Sequence, residues 1–265
     1  MPAPLYLVDA FTDRPFSGNP AGVCLPDADR DHLWMQSVAM EMNQAETAFL
    51  RLRADGDWDL RWFTPVVEVD LCGHATLASA HVLWESKRAP ATRPIRFHTK
   101  SGVLTCTAAS GRIEMDFPAE PATQVEATAE EAFALGAEPT YVGHNRMDML
   151  VVLDSAETLR QLTPDMALVA KIPVRGVIVT AKSDRAGCDF LSRFFGPQSG
   201  IAEDPVTGSS HCCLGPYWRD VLGKDDLVGY QASRRGGTVT VRCVGNRVIL
   251  GGTAVTVVEG ALRAP

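Results

Sequence analysis

The hydrophobic and polar positions of the chain predict an alternation of short strands with two kinds of helix. In the first half, Leu5–Phe11, Glu46–Leu52 and Asp59–Thr64 have the short, apolar-rich patterns that are typical of β-strands. Asp29–Met42 places its apolar residues on one side, which predicts an amphipathic helix. The segment from Ala75 to Lys87 is apolar on almost every side, which indicates a buried helix.

The second half of the chain repeats this order. Strands are predicted at Met149–Leu153, Gly176–Ala181 and Asp189–Phe195, and a helix with Ser155 as its cap is predicted over Ser155–Val169. A second largely apolar helix is predicted from Gly208 to about Leu222. The two halves therefore present the same succession of elements.

The glycines that open the two apolar helices, Gly73 and Gly208, lie roughly half a chain length apart, which indicates an internal duplication. We therefore expect an α+β fold of two pseudo-symmetric domains, each a bent and mostly antiparallel sheet around its own central helix. The predicted domains are residues 1–118 and 119–265, with a join within residues 119–138. The terminal strands could cross over between the two halves.

Composition and charge exclude several classes of protein. Hydrophobic residues make up 46% and charged residues 22% of the 265 positions, which is ordinary for a folded globular protein. The 25 basic and 32 acidic side chains give a net charge of −7, which disfavours nucleic acid as a partner. No apolar run approaches about 18 residues and no cationic leader is present, so we expect a cytoplasmic protein that neither spans a membrane nor is exported.

The cysteines and histidines give no signature of a metal centre. The seven cysteines are irregularly spaced and form no C-x-x-C pair, so we expect reduced, mostly buried thiols. His74 and His81 are seven positions apart on a predicted helix, which is too far for them to bind one ion. We therefore predict no metal and no nucleotide cofactor.

The two glycine-led helix starts indicate a site for an anion. The first backbone N–H groups of a helix have no partner within the helix, and a glycine lets a ligand come close to them. If the two halves face each other, Gly73 and Gly208 would present such groups to one small carboxylate-bearing substrate. The alternative is that each glycine only permits a sharp turn from strand to helix.

Three side chains near these starts are candidates for chemistry. Glu46 heads an apolar strand, and as a general base it would need its pKa raised by burial; the alternative is an exposed strand residue. Cys72 precedes the first helix start, where a thiol gains acidity, but its counterpart in the second half is Thr207, which cannot act as a second base. Asp204 could orient a substrate amine or hold a histidine tautomer, or it could be a turn residue before proline.

These residues resemble the motifs of the PhzF-like family, the phenazine-biosynthesis isomerase group related to diaminopimelate epimerase. The matching segments span the chain: Val8–Thr12 with Phe16–Val23, Asn43–Phe49, Arg61–Pro65 leading to Cys72–Ala78, and Arg193–Pro197 followed by Glu203–His211. The resemblance implies two similar domains, each a barrel-like sheet around a central helix, with the active site between them. It also implies a homodimer that works without metal or organic cofactor.

The resemblance implies a role for each candidate residue. Glu46 matches the glutamate that moves a proton across trans-2,3-dihydro-3-hydroxyanthranilate. His74 and Asp204 match a substrate-contacting pair, and Asn19 lies in a turn near that site. The amides of Gly73, Gly208 and Ser209 match a cradle for the substrate carboxylate.

We therefore expect a cofactor-independent isomerase of a small carboxylate, with one glutamate as the proton carrier. One alternative is an amino-acid epimerase or racemase that uses Cys72 with a second group. Another alternative is a non-catalytic member of the family that acts by binding a partner.

Overall fold

The computed structural model describes residues 2–126 and 128–263 and confirms the predicted α+β fold class. The strands are β1 Ala3–Ala10, β2 Asn19–Cys24, β3 Glu46–Leu52, β4 Trp58–Phe63, β5 Glu68–Val69, β6 Ile95–Thr99, β7 Gly102–Ala109, β8 Arg112–Pro118, β9 Thr123–Val125, β10 Tyr141–His144, β11 Asp148–Val152, β12 Gly176–Lys182, β13 Phe190–Phe195, β14 Asp226–Gln231, β15 Gly237–Val244, β16 Arg247–Gly252 and β17 Ala254–Leu262. The helices are α1 His32–Met42, α2 Gly73–Glu85, α3 Ala129–Leu135, α4 Ala156–Gln161, α5 Met166–Val169 and α6 Gly208–Leu222, with a 3-10 turn at Pro197–Ser199.

Backbone contacts divide the chain into two compact units. The first comprises the described residues of Met1–Asp116 and Gly251–Pro265, and the second comprises those of Phe117–Leu250. The last strand, β17, belongs to the first unit because it pairs antiparallel with β1 from Ala3 to Ala10. Among the described residues, no helix has the length and apolar character needed to cross a membrane.

The first unit is a mixed sheet whose parallel pairs are bridged by helices. Strand β1 is antiparallel to β2, β2 is parallel to β3, and β3 is antiparallel to β4. Strand β4 is parallel to β6, and β6 is antiparallel to β7. Parallel neighbours need a crossover connection, and α1 and α2 lie in the two crossovers.

The second unit repeats the same order of pairings. Strand β10 is antiparallel to β11, β11 is parallel to β12, and β12 is antiparallel to β13. Strand β13 is parallel to β14, which is antiparallel to β15. Helices α4 and α5 lie in the first crossover and α6 lies in the second. Each unit thus has the same internal topology, as a half-chain duplication requires.

Helices α2 and α6 are the buried central helices that the apolar segments predict. Nine of the 13 residues of α2 are buried. Among them, Leu77, Ala78 and Leu83 have no exposed surface. Helix α6 begins at Gly208 and ends at Leu222, as its pattern predicts, and Cys213 and Leu214 are fully buried. An apolar helix that is buried on all sides has a fixed position, and so has its first turn. In both units this first turn contains candidate site residues.

Two predicted segments need correction. The single helix predicted over Ser155–Val169 is wrong: the structure has α4 and α5, separated by Leu162–Asp165. Pro164 has no N–H for a continuous helix, and Asp165 accepts hydrogen bonds from the next turn as a new cap. The segment taken as a join, residues 119–138, contains β9 and α3. Helix α3 is capped by the Thr128 and Glu131 capping box.

We expect Gly18→Ala to destabilise the protein more than Gly56→Ala. Both glycines have a positive φ, so the matched Gly56→Ala control should cost roughly 1–2 kcal/mol. At Gly18, an added Cβ would also lie 2.1 Å from the Ala10 carbonyl oxygen, whereas at Gly56 it meets no atom within 4 Å. We expect a loss of about 3 kcal/mol or more for Gly18→Ala, measured by urea unfolding. Equal losses in the two variants would contradict the close backbone approach before Asn19.

Candidate active site

Glu46 is the first residue of β3, directly after the chain leaves α1. Asn43 ends α1 in the left-handed conformation, and Glu46 then pairs in register with Ala21 of the parallel strand β2. The following residues, Thr47 to Leu50, are buried, so the strand fixes the position of the glutamate backbone. The Glu46 side chain is only 13% exposed. The alternative of a solvent-exposed strand residue is therefore wrong.

His74 brings the candidate groups of the first unit together. It is the second residue of α2, and its side chain is 6% exposed. Its Nε2 lies 3.2 Å from Glu46 Oε2. On the other side of the ring, Nδ1 lies 3.2 Å from Asn19 Nδ2 and 3.5 Å from Cys72 Sγ. Glu46, Asn19, Cys72 and His74 thus form one cluster, which we call the His74 cluster.

Burial sets the protonation state of His74. Removal of the ring from water lowers the pKa of His74 to about 3, because burial disfavours the charged imidazolium. The ring is therefore neutral near pH 7. The Asn19 amide donates to Nδ1, so the single ring proton sits on Nε2, which faces the Glu46 carboxylate.

The loop before Asn19 is fixed by a buried carboxylate. Asp9 is 2% exposed, and its Oδ2 accepts a 2.7 Å hydrogen bond from the Phe16 amide. Phe11 and Phe16 both have positive φ, so the chain makes two tight reversals between β1 and β2. Asn19 itself is fully buried. This local framework places the Asn19 amide against His74.

The start of α2 lacks a side-chain cap. Cys72 precedes Gly73 in an extended conformation, and its side chain makes no capping hydrogen bond among the described residues. The Thr76 hydroxyl donates back to the Cys72 carbonyl oxygen, which ties the first turn to the preceding residue. A helix start without a cap leaves its first N–H groups suited to an anion, and Gly73 has no side chain to obstruct an approaching ligand.

In the second unit, a glutamine fixes Asp204 and Thr207 before α6. The Gln231 Nε2 donates to the Asp204 carbonyl oxygen at 2.8 Å, and its Oε1 accepts from the Thr207 amide at 2.9 Å. The Thr207 hydroxyl donates to Asp204 Oδ2. Asp204 is 7% exposed and Gln231 is fully buried, so this network is rigid.

A cation stands beside the first turn of α6. Arg175 Nη2 donates to Ser209 Oγ at 3.0 Å, and the same guanidinium makes two hydrogen bonds to the buried Asp148. Asp148 thereby orients Arg175 toward the residue after Gly208. Sequence reasoning missed Arg175, Asp148 and Gln231. Asp148 could have been found from the sequence because it is an acidic residue at the start of an apolar strand, and all residues of that strand are buried.

Two groups of described side chains have the spacing of metal ligands. Glu46, Cys72 and His74 each offer one ligand atom, and these atoms lie within 4.8 Å of one another. Asp55, Asp57 and His98 form a second, more exposed group. His81, which the sequence spacing puts too far from His74 to bind the same ion, lies 3.4 Å from Glu85.

The His74 cluster is suited to proton transfer. A carboxylate that faces a neutral imidazole N–H can accept a proton from carbon, while the ring donates a hydrogen bond without carrying charge. The Asp204 and Arg175 groups are suited to hold polar and anionic parts of a small molecule.

Comparison with known proteins gives a consistent result. A family model described as phenazine biosynthesis-like protein, PhzC-PhzF, matches residues 8–260. An uncharacterized isomerase of Halalkalibacterium halodurans is 52% identical over 263 residues, which cover 99% of each chain. The crystal structure of a PhzF-family phenazine biosynthesis protein from Enterococcus faecalis is 40% identical, covers 100% of each chain and has a TM-score of 0.95.

A more distant likeness concerns the fold alone. A hydroxyproline epimerase from Agrobacterium vitis is 12% identical and has a TM-score of 0.63 over 99% of this chain and 93% of its own. Taken with the family model and the two relatives above, the match extends over nearly the full length of the chain. The chain belongs to the phenazine biosynthesis-like PhzC-PhzF family.

Proposed function

We propose that this protein is an isomerase that moves one proton within a small carboxylate, and that Glu46 carries the proton. The observation that supports this proposal is the 3.2 Å approach of the Glu46 carboxylate to Nε2 of the neutral, buried His74. Relatives that are named isomerases over nearly the full chain support the reaction class. The similarity to trans-2,3-dihydro-3-hydroxyanthranilate isomerase supports a conjugated, amino-bearing carboxylate as the substrate class.

The proposed reaction has two proton transfers through one group. Glu46 begins as a carboxylate and removes a proton from a substrate C–H bond, so the electron pair of that bond enters the conjugated system of the substrate. The protonated Glu46 then returns the same proton to another carbon on the same face. The sum is an isomerisation with no net gain or loss of protons, and it needs no cofactor.

His74 has a defined part in this proposal. Because the ring is neutral and its proton is on Nε2, it can donate a hydrogen bond to a substrate oxygen and does not compete for the transferred proton. An imidazolium at this position would stabilise the carboxylate and weaken it as a base. Asn19 holds the tautomer through its contact with Nδ1. Asp204 is proposed to contact the substrate amine.

The substrate carboxylate is proposed to bind the backbone amides of Gly73, Gly208 and Ser209. The absence of a side-chain cap at either helix start among the described residues supports this role. Arg175 adds a positive charge beside Ser209. As the electron pair delocalises toward the carboxylate, these groups would stabilise the charge more strongly in the transition state than in the ground state.

The homodimer stays a prediction, which light scattering would test.

An epimerase that uses Cys72 is the second candidate. The 3.5 Å contact between Cys72 Sγ and His74 Nδ1 favours it, because an imidazole can assist a thiol. Thr207, at the corresponding position of the second unit, instead donates its hydroxyl to Asp204. Incorporation of deuterium at an inverted α-carbon, together with loss of that incorporation in Cys72→Ala, would support this candidate.

A non-catalytic binding protein would show ligand binding without any exchange.

We expect Glu46→Gln to remove turnover while leaving the fold intact. The amide is nearly the same size as the carboxylate but cannot accept a proton, so exchange should fall by roughly 10²–10⁴-fold. The assay is incorporation of solvent deuterium into a panel of small unsaturated amino acids, including trans-2,3-dihydro-3-hydroxyanthranilate, read by mass spectrometry. Glu41→Gln, an exposed change on α1, is the matched control. Retained exchange in Glu46→Gln would rule out Glu46 as the carrier.

We expect His74 to make the protein less stable as the pH falls. Unfolded His74 takes up a proton near its ordinary pKa of about 6.5, whereas the pKa of the folded residue is about 3. Between these values the unfolded state binds more protons, so stability falls with decreasing pH. His74→Asn should reduce the slope of unfolding free energy by about 1.4 kcal/mol per pH unit between pH 6 and 4.

Chemical denaturation across this pH range measures the slope directly. His32→Asn, which alters a half-exposed histidine of the same unit, is the control for replacing a histidine by asparagine. An unchanged slope in His74→Asn would show that the ring is not held neutral.

A further inference from the structure

Each unit contains an arginine that binds a glutamate through two hydrogen bonds. In the first unit, Arg61 Nε and Nη2 donate to Glu68 Oε1 and Oε2 at 2.8 and 2.9 Å. In the second unit, Arg193 Nε and Nη2 donate to Glu203 Oε1 and Oε2 at 2.7 and 3.0 Å. We call Arg61 with Glu68 the first pair and Arg193 with Glu203 the second pair. The two pairs join the same atoms in the same order.

The two pairs occupy equivalent places in the duplicated framework. Arg61 lies in β4 and Arg193 lies in β13, and each of these strands precedes a central helix. The glutamate of each pair stands five positions before the glycine that opens that helix. Each arginine also lies over the aromatic ring two residues further along its strand, 5.1 and 4.9 Å from the ring centres. The pairs therefore belong to the duplicated framework itself.

The backbone beside each pair is fixed in a similar way. In both units, the residue after the glutamate contacts the residue after the arginine. Val69 pairs with Trp62 of β4. Asp204 donates its amide to the Phe194 carbonyl oxygen of β13 at 3.0 Å. The loop thus returns to its strand a few residues before the central helix begins, and the Arg–Glu pair lies beside this point.

The first pair fixes a loop whose tip is exposed. Val66 and Val67 are 85% and 54% exposed, so packing contributes little to the position of the tip. The Glu68 side chain is only 5% exposed, and it also accepts from Lys100 Nζ at 2.7 Å. Hydrogen bonds from Arg61, and then from Lys100, lower the pKa of the Glu68 carboxyl to about 2. The carboxylate is therefore charged near pH 7 and keeps its two-bond contact.

The second pair is also joined to the end of a helix. Arg193 Nη1 donates to the carbonyl oxygens of Leu159 and Leu162, at 3.2 and 2.6 Å, at the end of α4. The Arg193 side chain is 12% exposed. Every nitrogen of its planar guanidinium thus has a partner, which gives the group one orientation. Glu203, and with it the adjacent Asp204, is held in a fixed place.

We propose that both pairs are positioning residues, and that the first pair sets the place of His74 while the second sets the place of Asp204. Strand β4 also connects the first pair to the proton carrier, because Phe63 is in register with Thr47, the neighbour of Glu46. The division of roles, though not the positioning, rests on the proposed function. The first pair then supports proton transfer, and the second supports the contact with the substrate amine.

Hydrogen–deuterium exchange of the backbone, read by mass spectrometry, tests the positioning without any substrate. Glu68→Gln keeps the size of the side chain but replaces an acceptor oxygen by a donor, which breaks the two-bond contact. We expect the protected amides of residues 64–76 to exchange at least about 10-fold faster, because the loop opens more often. Residues 196–211 should exchange as in the parent chain. Glu203→Gln should give the reverse result.

Two further variants complete this test. Asp184→Asn breaks an exposed arginine–carboxylate pair with Arg160, at a distance from both loops in sequence, and should leave both segments unchanged. Arg61→Lys keeps the positive charge but cannot make the two-bond contact, so it should act as Glu68→Gln does. Circular dichroism verifies that each variant is folded. Should Glu68→Gln fail to fold, Arg61→Lys tests the same contact.

Steady-state kinetics separates the roles of the two pairs. The probe is trans-2,3-dihydro-3-hydroxyanthranilate, followed by incorporation of solvent deuterium. Glu68→Gln should lower kcat by roughly 10–100-fold, because a misplacement of about 1 Å at the reacting groups can cost about 10²-fold. Glu203→Gln should instead raise KM by about 10-fold and change kcat by less than about 3-fold, because it weakens a contact made equally before and during the reaction.

Two results would overturn the positioning. They are unchanged amide exchange in both variants, and equal acceleration of both segments in each variant, which a general loss of stability would produce. Equal changes of kcat and KM in the two variants would overturn the division of roles. If amide exchange changes as expected but Glu46→Gln retains turnover, the positioning stands and the proposed function fails. If Glu46→Gln abolishes turnover but amide exchange is unchanged, the proposed function stands and the positioning fails.

Discussion

The candidate active site depends on the burial of a neutral histidine. His74 lies in the first turn of a helix that is enclosed on every side, and this burial lowers the pKa of His74 to about 3. The ring can then hold a proton only on one nitrogen, and Asn19 determines which one. The Glu46 carboxylate therefore faces an uncharged ring, and in the proposed mechanism this lets it act as a base.

The two units have the same topology but different chemistry at their central helices. In the first unit, a thiol and an imidazole flank the opening glycine. In the second, the corresponding hydroxyl of Thr207 is bonded to Asp204, and Gln231 holds both residues. Inversion of a carbon by two bases needs two competent bases, and the Thr207 hydroxyl is not one. This divergence of a duplicated framework favours a single proton carrier.

Much of the fold could be predicted from the sequence because its strongest signals are local. An apolar segment opened by glycine predicts the start of α6 at Gly208 and its end at Leu222, and strand periodicity locates β3 at Glu46–Leu52. The apolar periodicity continues through Pro164 and therefore hides the break between α4 and α5. The Ala, Thr and Glu content of α3 is typical of a linker, although the Thr128 and Glu131 pair is a local capping signal.

The site was less predictable because its decisive contacts join residues that are distant in sequence. Glu46 and His74 could be proposed from their motifs, but their separation, and the position of Asn19 on the opposite side of the ring, depend on how β2, β3 and α2 pack. The same holds for Arg175, which reaches Ser209 only because Asp148 orients its guanidinium. No local pattern contains these pairings.

The state of His74 is the most direct test of this account, and nuclear magnetic resonance of the protein labelled with ¹⁵N-histidine measures it. Long-range correlations between the ring protons and the two ring nitrogens distinguish the tautomers and the imidazolium. We expect His74 to be neutral with its proton on Nε2, and to stay neutral as the pH is lowered to about 4, since the pKa of the buried ring is about 3. An imidazolium that titrates near its ordinary pKa of about 6.5, or a proton held on Nδ1, would contradict the account.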